Sequence, residues 1–520
     1  MLGTRLFAAA ISVYRKFSTV SSGKITYGSP KKKKYKTSKK NYGRPKWTDQ
    51  QEEIIDAVKG HQSVFITGSA GTGKTFLLKH IIKLLRKQYK PSQVFVTGPT
   101  GVAACAVRGQ TLHSFAGIGG QTSDREAMLE RVSSNKKARS RFRTAKALVI
   151  DEISMVSAQL FENLEFIARK IRGEDSSWGG IQVVASGDFF QLPPVKIKGY
   201  LNSSCDDDDK EFAFEADCWN SSFALQVELK KVYRQSDPQF IKFLQSIRKG
   251  EFGREESEYL NQLQSSTATD SSAVKIYPRN EDVKRVNEEK MKSLGNETFV
   301  FRAIDSGSGS GSNHCRGQLN WAAPCELALC LDARVMLTMN LSVWRKLVNG
   351  ATGKIVGFSR IDGVDDDEHA NDDEDEDEDV GTDPDTEDED IATICPHGLL
   401  PIVKFNSGTT MVIKPATWSV KDGDDIVAER KQLPLTLAWA LSIHKCQGMT
   451  LDCIETDLSK VFEYGMHYVV MSRVKGSDGL HITGLDPTRI KAHPKVVRFY
   501  EKLAGEKDEK PEEDSTCLVT

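Results

Sequence analysis

The sequence predicts an α/β fold, a parallel sheet with helices on both faces, and three observations carry that reading. First, four short runs have the β-branched and aromatic content of buried strands: Val64-Phe65-Ile66-Thr67, Val94-Phe95-Val96-Thr97, Ala147-Leu148-Val149-Ile150 and Ile181-Gln182-Val183-Val184-Ala185-Ser186. Second, helical segments separate them, and strands that alternate with helices build parallel sheets. Third, every run ends in a loop of Gly, Pro, charged or polar residues. The carboxyl ends of parallel strands are where such folds hold ligands.

At the start of the chain, Leu2, Leu6, Ala9, Val13 and Phe17 fall on one helical face, with Arg5, Arg15 and Lys16 as charges. This is the pattern of a mitochondrial transit peptide; a disordered tail is the plain alternative. Lys31–Lys34, Lys36, Lys39 and Lys40 follow. Alone they read as a nuclear signal or a loose nucleic-acid patch, and after cleavage they would remain as a flexible basic arm. Residues 1–46 are therefore set apart, with the mitochondrial matrix as the expected location and the nucleus as the alternative. Trp47 to Val58 opens the folded part. Thr48 is a candidate helix N-cap with Gln51 as its N3 partner.

Gly68-Ser69-Ala70-Gly71-Thr72-Gly73-Lys74-Thr75 follows the first strand and opens a helix with an apolar face. It matches the phosphate-cradling pattern G-x-x-x-x-G-K-[ST]. Glycines permit the backbone angles that turn successive N–H groups inward, and the helix end adds positive field. Lys74 is placed to reach the β- and γ-phosphates, and Thr75 to hold Mg²⁺. After the second strand comes Thr100, then Thr111-Leu112-His113-Ser114-Phe115. These residues suit a DNA-contacting loop with a stacking ring, or equally a capped helix with one buried Phe. Asp151 and Glu152 end the third strand. The first can hold the metal through water, and the second can polarise the attacking water at a γ-phosphate. Gln191, in the loop after the fourth strand, is placed to sense that phosphate.

A chain of 520 residues accommodates two to four domains. No apolar run reaches membrane-spanning length, so no membrane partner is expected. The net charge of −1 hides two opposed blocks. The 13 Lys and Arg before Asp49 meet no acid, and residues 362–390 carry 19 acids and no Lys or Arg. The body between them is mildly basic, which suits a polyanionic partner. Ten cysteines are scattered without a C-x-x-C pair, which gives no zinc site and suits a reducing compartment.

These motifs occur in a known order. GSAGTGKT, GPTGVAACAVRGQTLHSF, DEISM, GDFFQLPPV, FEADCW, VYRQSD, LSIHKCQGMTLD and YVVMSR resemble the PIF (petite integration frequency) family of superfamily-one DNA helicases, relatives of RecD. The resemblance spans roughly 47–485, apart from a middle insert. It implies two RecA-like domains with ATP in the cleft between them, the first over 47–221 and the second over 222–295 and 431–505. Arg234 and Arg473 match the arginines that reach the γ-phosphoryl from the second domain. Gln51 matches an adenine-recognising glutamine. His444, Lys445, Gln447 and Thr450 match a segment that touches both single-stranded DNA and the nucleotide, with Gln447 as the coupling residue. Tyr468, Arg473 and Lys475 extend the DNA face. A small SH3-like barrel is implied over 296–430. Here it is interrupted by the acidic segment 362–391, which is expected to be disordered. That segment reads as a tolerated loop expansion, a DNA mimic or a site for a basic protein partner. Ser306–Ser312 reads as a second expansion, and 506–520 as a tail. The implied activity is ATP- and Mg²⁺-dependent unwinding of DNA by a monomer moving 5′ to 3′, on single-stranded or forked DNA or RNA–DNA hybrids, in organelle DNA replication, repair or maintenance. The alternatives are a DNA-stimulated ATPase that remodels protein–DNA complexes and a catalytically silent scaffold.

Overall fold

The structure is a computed structural model. It describes residues 46–118, 124–194, 210–265, 273–306, 323–339, 349–360, 393–422 and 425–508, with 319, 341, 342, 345 and 347. The transit and basic segments up to residue 45, the acidic segment 362–391, residues 307–312 and the tail from 509 lie outside these. The chain divides into units Met1–Trp47 and Thr48–Thr520, and the elements below belong to the second.

Helix α1 (Asp49–Lys59) begins with the expected capping box between Thr48 and Gln51. Strand β1 (Val64–Gly68) leads through the glycine-rich loop into α2 (Lys74–Gln88). Next come β2 (Val94–Gly98), α3 (Gly101–Ala106), β3 (Gln110–Thr111), α4 (Leu112–Ala116), α5 (Arg125–Ser134) and α6 (Lys136–Thr144). Strand β4 (Ala147–Ile150), α7 (Ala158–Arg172), β5 (Gln182–Ser186), α8 (Trp219–Ser222) and β6 (Leu225–Leu229) complete the first lobe. Its sheet is six-stranded and parallel, in the order β3-β2-β4-β5-β1-β6. Strands β1, β4 and β5 are buried along their whole length. That explains their unbroken apolar runs, since a parallel sheet is covered on both faces.

Strand β6 corrects the expected domain boundary at 222. It pairs with β1, Ile66 opposite Val227, and so belongs to the first sheet.

The second lobe opens with α9 (Pro238–Lys249), α10 (Arg254–Ser265), β7 (Val274–Tyr277) and α11 (Asn280–Leu294). Asn280 is the first helical residue of α11, and Arg279 is its cap. Antiparallel sheets stand where the resemblance implied a small barrel. Their strands are β8 (Thr298–Arg302), β9 (Ile304–Ser306), β10 (Glu326–Cys330), β11 (Arg334–Leu337), β12 (Thr352–Arg360), β13 (Leu399–Phe405), β14 (Thr410–Val412), β15 (Ala416–Asp422), β16 (Asp425–Gln432) and β17 (Leu435–Leu437). The sheet orders are β14-β13-β12-β11-β17, β15-β16-β9 and β10-β8. The lobe resumes with β18 (Ala440–Ser442), α12 (Ile443–Cys446), β19 (Ile454–Asp457), α13 (Met466–Met471) and β20 (Leu480–Gly484). With β7 these form a parallel sheet of order β18-β7-β19-β20.

The last helix, α14 (Pro494–Asp508), supplies a second correction. It was expected within the second domain, but Val496, Tyr500 and Leu503 join the first lobe's core beside Phe65, Phe189 and Trp219. The chain therefore returns to the lobe it started in. Among the described residues no helix is long and apolar enough to cross a membrane.

Candidate nucleotide site

The glycine-rich loop is formed as the sequence requires. Gly68, Gly71 and Gly73 take φ of 141°, 85° and 85°, angles closed to most side chains. Lys74 starts α2, and its Nζ donates to the carbonyls of Gly68 (2.7 Å) and Ser69 (3.1 Å). The ammonium is folded over the loop whose N–H groups would meet a phosphate. Burial lowers its pKa, opposed by Asp188, Glu152 and Asp151. Thr72 is buried against the loop, its hydroxyl donating to the Ser69 carbonyl. Thr75 is exposed at the start of α2.

Asp151 and Glu152 stand at the carboxyl end of β4. Burial pushes the Asp151 carboxyl up to about 7, Glu152 adds to the rise, and the Glu152 N–H at 3.1 Å opposes it. Burial also raises Glu152, against Lys74 and Arg473. Glu152 holds a left-handed backbone (φ 51°), a strained conformation of the kind that gathers at working sites. Its Oε2 accepts from Gln447 Nε2 at 3.1 Å, so the coupling residue implied by the resemblance touches the carboxylate assigned to the water. A buried carboxyl with so raised a pKa lacks positive charge. The hard oxygens of Asp151 and Thr75 fit Mg²⁺, which would supply it.

Two arginines meet at the other side of the loop. Arg234 Nη1 donates to the Ser472 carbonyl at 2.9 Å, and Arg473 donates to the Val469 carbonyl (2.6 Å) and to Ser472 Oγ (2.8 Å). Burial, then Arg473, pushes Arg234 down to about 9. Arg473 is 1% exposed. Among the described residues no acidic side chain lies within ion-pair distance of either. Gln191 is buried, and its Nε2 donates to Asp188 Oδ2 at 3.3 Å. Gln51 is buried with its Oε1 accepting from the Thr48 N–H at 3.1 Å.

The expected DNA residues divide. Thr450 and Lys475 are exposed, the latter paired with Asp452 at 2.9 Å. His444 and Lys445 are half-buried, with pKa values lowered by burial. Thr100 caps α3 through the Ala103 N–H, and His113 is half-buried on α4. Three assignments are corrected. Phe115 is fully buried between Phe95 and Phe142, ring centroids 5.1 and 5.0 Å away, because α4 packs its apolar side onto the sheet. Tyr468 is buried, and its hydroxyl accepts from the Ala70 N–H at 2.6 Å, so it meets the glycine-rich loop and not DNA. Arg473 is likewise turned inward, which removes it from a DNA face.

Sequence reasoning missed two groups. Tyr233 donates its N–H to the Gly71 carbonyl at 2.8 Å, yet its ring is 51% exposed beside Gly73. The other is a buried ion pair between Asp188 and Arg248. Arg248 lies in the last turn of α9, where a cation is ordinary, and no local pattern distinguishes it.

The fold and this site define the class, a P-loop protein of two parallel-sheet lobes. The chain belongs to the PIF1-like helicase family, whose model matches residues 46–258. It is 36% identical over 462 residues to the ATP-dependent DNA helicase PIF1 of Xenopus laevis, covering 88% of this chain and 64% of that protein. The chain thus spans slightly under two thirds of that relative's length. Crystal structures of Candida albicans Pif1 (35% identity, TM-score 0.70, 88% of this chain and 99% of that one) and of Bacteroides Pif1 with ADP-AlF3 and single-stranded DNA (26% identity, TM-score 0.57, 89% and 98%) share the fold.

Proposed function

We propose that this protein is an ATP-dependent DNA helicase that moves 5′ to 3′ on single-stranded DNA as a monomer and opens forked duplex. The observation that carries the reading is the pair Arg234 and Arg473. Arg473 is buried and Arg234 half-buried, neither has a carboxylate within ion-pair distance among the described residues, and with Lys74 they gather positive charge at the glycine-rich loop that a polyanion would neutralise. A triphosphate in the glycine-rich loop supplies that charge. Lys74 would exchange its two carbonyl partners for phosphate oxygens. Glu152, held by Gln447, would orient and polarise the attacking water, and the arginines would stabilise charge on the transferring phosphoryl. Mg²⁺ on Thr75 and Asp151 would supply Lewis-acid charge at the phosphates. Because Arg473 comes from the second lobe, the arrangement exists only with the lobes together, and hydrolysis is coupled to their separation.

DNA as the track is supported by family membership, by the Bacteroides relative seen with single-stranded DNA, and by the exposed Thr450 and Lys475. The transit pattern in residues 1–20 supports a place in the mitochondrial matrix, in replication, repair or maintenance of its DNA. The nuclear alternative rests on Lys31–Lys34, and RNA–DNA hybrids are a second substrate class.

The test is unwinding of a fork with a 5′ tail beside one with a 3′ tail, with Lys74→Ala as control. Opening from the 5′ tail alone, lost with ATP hydrolysis in Lys74→Ala, is the expected result. Full hydrolysis by Lys74→Ala would sink the site assignment. Hydrolysis with neither fork opened would favour a remodelling ATPase.

A further inference from the structure

Asp188, in the loop after β5, is 0% exposed, and Arg248, near the end of α9, is 5% exposed. The two come from different lobes. Arg248 Nη2 lies 2.9 Å from Asp188 Oδ1, its Nε lies 3.3 Å from both carboxylate oxygens, and its Nη1 lies 3.0 Å from Glu228. The guanidinium lies beside the rings of Phe190 (4.7 Å) and Tyr500 (5.0 Å), which stack on each other with centroids 4.6 Å apart. The Tyr500 hydroxyl is 3.3 Å from Asp188 Oδ1 and 2.5 Å from Thr67 Oγ1, and it accepts from the Phe189 N–H at 3.2 Å. Asp188 also accepts from Gln191 Nε2.

Asp188 has a second cation within electrostatic reach. Asp188 follows β5, the strand paired with the β1 that leads into the Lys74 loop, and its charge favours the Lys74 ammonium. A buried carboxylate left without its partner is costly and takes whatever cation is near. While Arg248 occupies Asp188, Lys74 remains on the loop carbonyls, available to a phosphate. We propose that Arg248 is a positioning residue for nucleotide binding and hydrolysis: by neutralising Asp188 across the cleft it keeps Lys74 free for the phosphates and holds Gln191 in place. Arg248 rides on a helix whose Phe240, Phe243, Leu244 and Ile247 pack in the second lobe's core. Opening the cleft therefore withdraws the guanidinium, lets Asp188 capture Lys74, and lowers nucleotide affinity in the open state. This inference rests on the nucleotide site proposed above.

The experiment measures the Kd of full-length protein for a fluorescent ATP analogue, and KM and kcat for ATP with single-stranded DNA. Arg248→Gln is expected to weaken Kd and raise KM by roughly tenfold or more, while Arg248→Lys stays within about threefold of wild type. The double variant Arg248→Gln/Asp188→Asn should recover Kd to within about threefold of wild type, because no buried carboxylate then competes for Lys74, although its kcat stays low without the Gln191 anchor. Melting temperature separates folding loss from these effects. An unchanged Kd in Arg248→Gln, or a double variant no better than the single, would overturn the proposal. Should Arg248→Gln not fold, Asp188→Asn alone decides: Kd within about threefold of wild type supports it, and weakening beyond roughly tenfold overturns it. If wild type binds no nucleotide, the underlying site reading has failed instead.

Discussion

At the residue scale, the site is set by charges that burial makes expensive. Asp151 shows this through pH. Its folded pKa of about 7 lies above the ordinary 3.8. Between those values the folded protein holds a proton that the unfolded chain has released, so this group's contribution to stability falls as pH rises through the window. Asp151→Asn lacks that loss. Its melting temperature relative to wild type, without nucleotide, should climb between about pH 4 and pH 7; parallel curves would count against the shift. The same proton competes with Mg²⁺, so the Mg²⁺ requirement should grow below pH 7. Tyr233 makes a separate prediction. Its exposed ring beside Gly73 is a face on which a base can stack. Tyr233→Ala should raise KM for ATP by roughly fivefold to a hundredfold with a smaller change in kcat, from a stacking contribution of about 1–3 kcal/mol. An unaltered KM would place the base elsewhere.

At the scale of elements, short helices are aimed by side chains from longer ones. Helix α4 is only five residues long and cannot hold its own shape. Thr111 caps its start through the Ser114 N–H. At its end, Arg141 of α6, itself buried, donates to the carbonyls of Phe115 (2.6 Å) and Ser114 (2.8 Å). A cation at a helix C-terminus satisfies orphan carbonyls and favours the helix dipole. Arg141→Ala should cost about 2–3 kcal/mol in urea denaturation, and weaken single-stranded DNA binding if α4 presents His113 to the strand. A loss under 0.5 kcal/mol would show that the helix is held by Phe115 packing alone.

At the scale of the molecule, the lobes touch through backbone as well as side chains. Gly465, at the start of α13, has φ 76°, and a Cβ there would collide with the carbonyl oxygens of Phe190 and Gln191 in the opposite lobe. Gly465→Ala should keep the lobes from closing to this distance. DNA-stimulated hydrolysis should then fall on the order of 100-fold, as expected when reacting groups are displaced by about an ångström. Each lobe should still fold, and DNA binding without nucleotide should persist. Wild-type hydrolysis in that variant would mean that the contact is incidental to the reaction.

The sequence by itself determined what depends on neighbours along the chain. The glycine-rich loop, its flanking strand and helix, the acids ending β4 and the parallel sheet were legible because loop chemistry, strand patterning and capping are local. That Arg234, Arg473 and Gln447 gather at the glycine-rich loop and Glu152 was legible only through their place in a known order of motifs. Tertiary structure decided the rest. Phe115 and Tyr468 carry the same residue types as DNA-stacking rings, and only packing turned them inward. Strand β6 and helix α14 sit in the first lobe because β1 needed an edge partner and the Phe65–Phe189–Trp219 core needed cover. The Asp188–Arg248 pair joins residues 60 apart in the chain, and no spacing rule announces it. A buried charge finds its partner through space, where the dielectric is low, and its place in the sequence carries no trace of that choice.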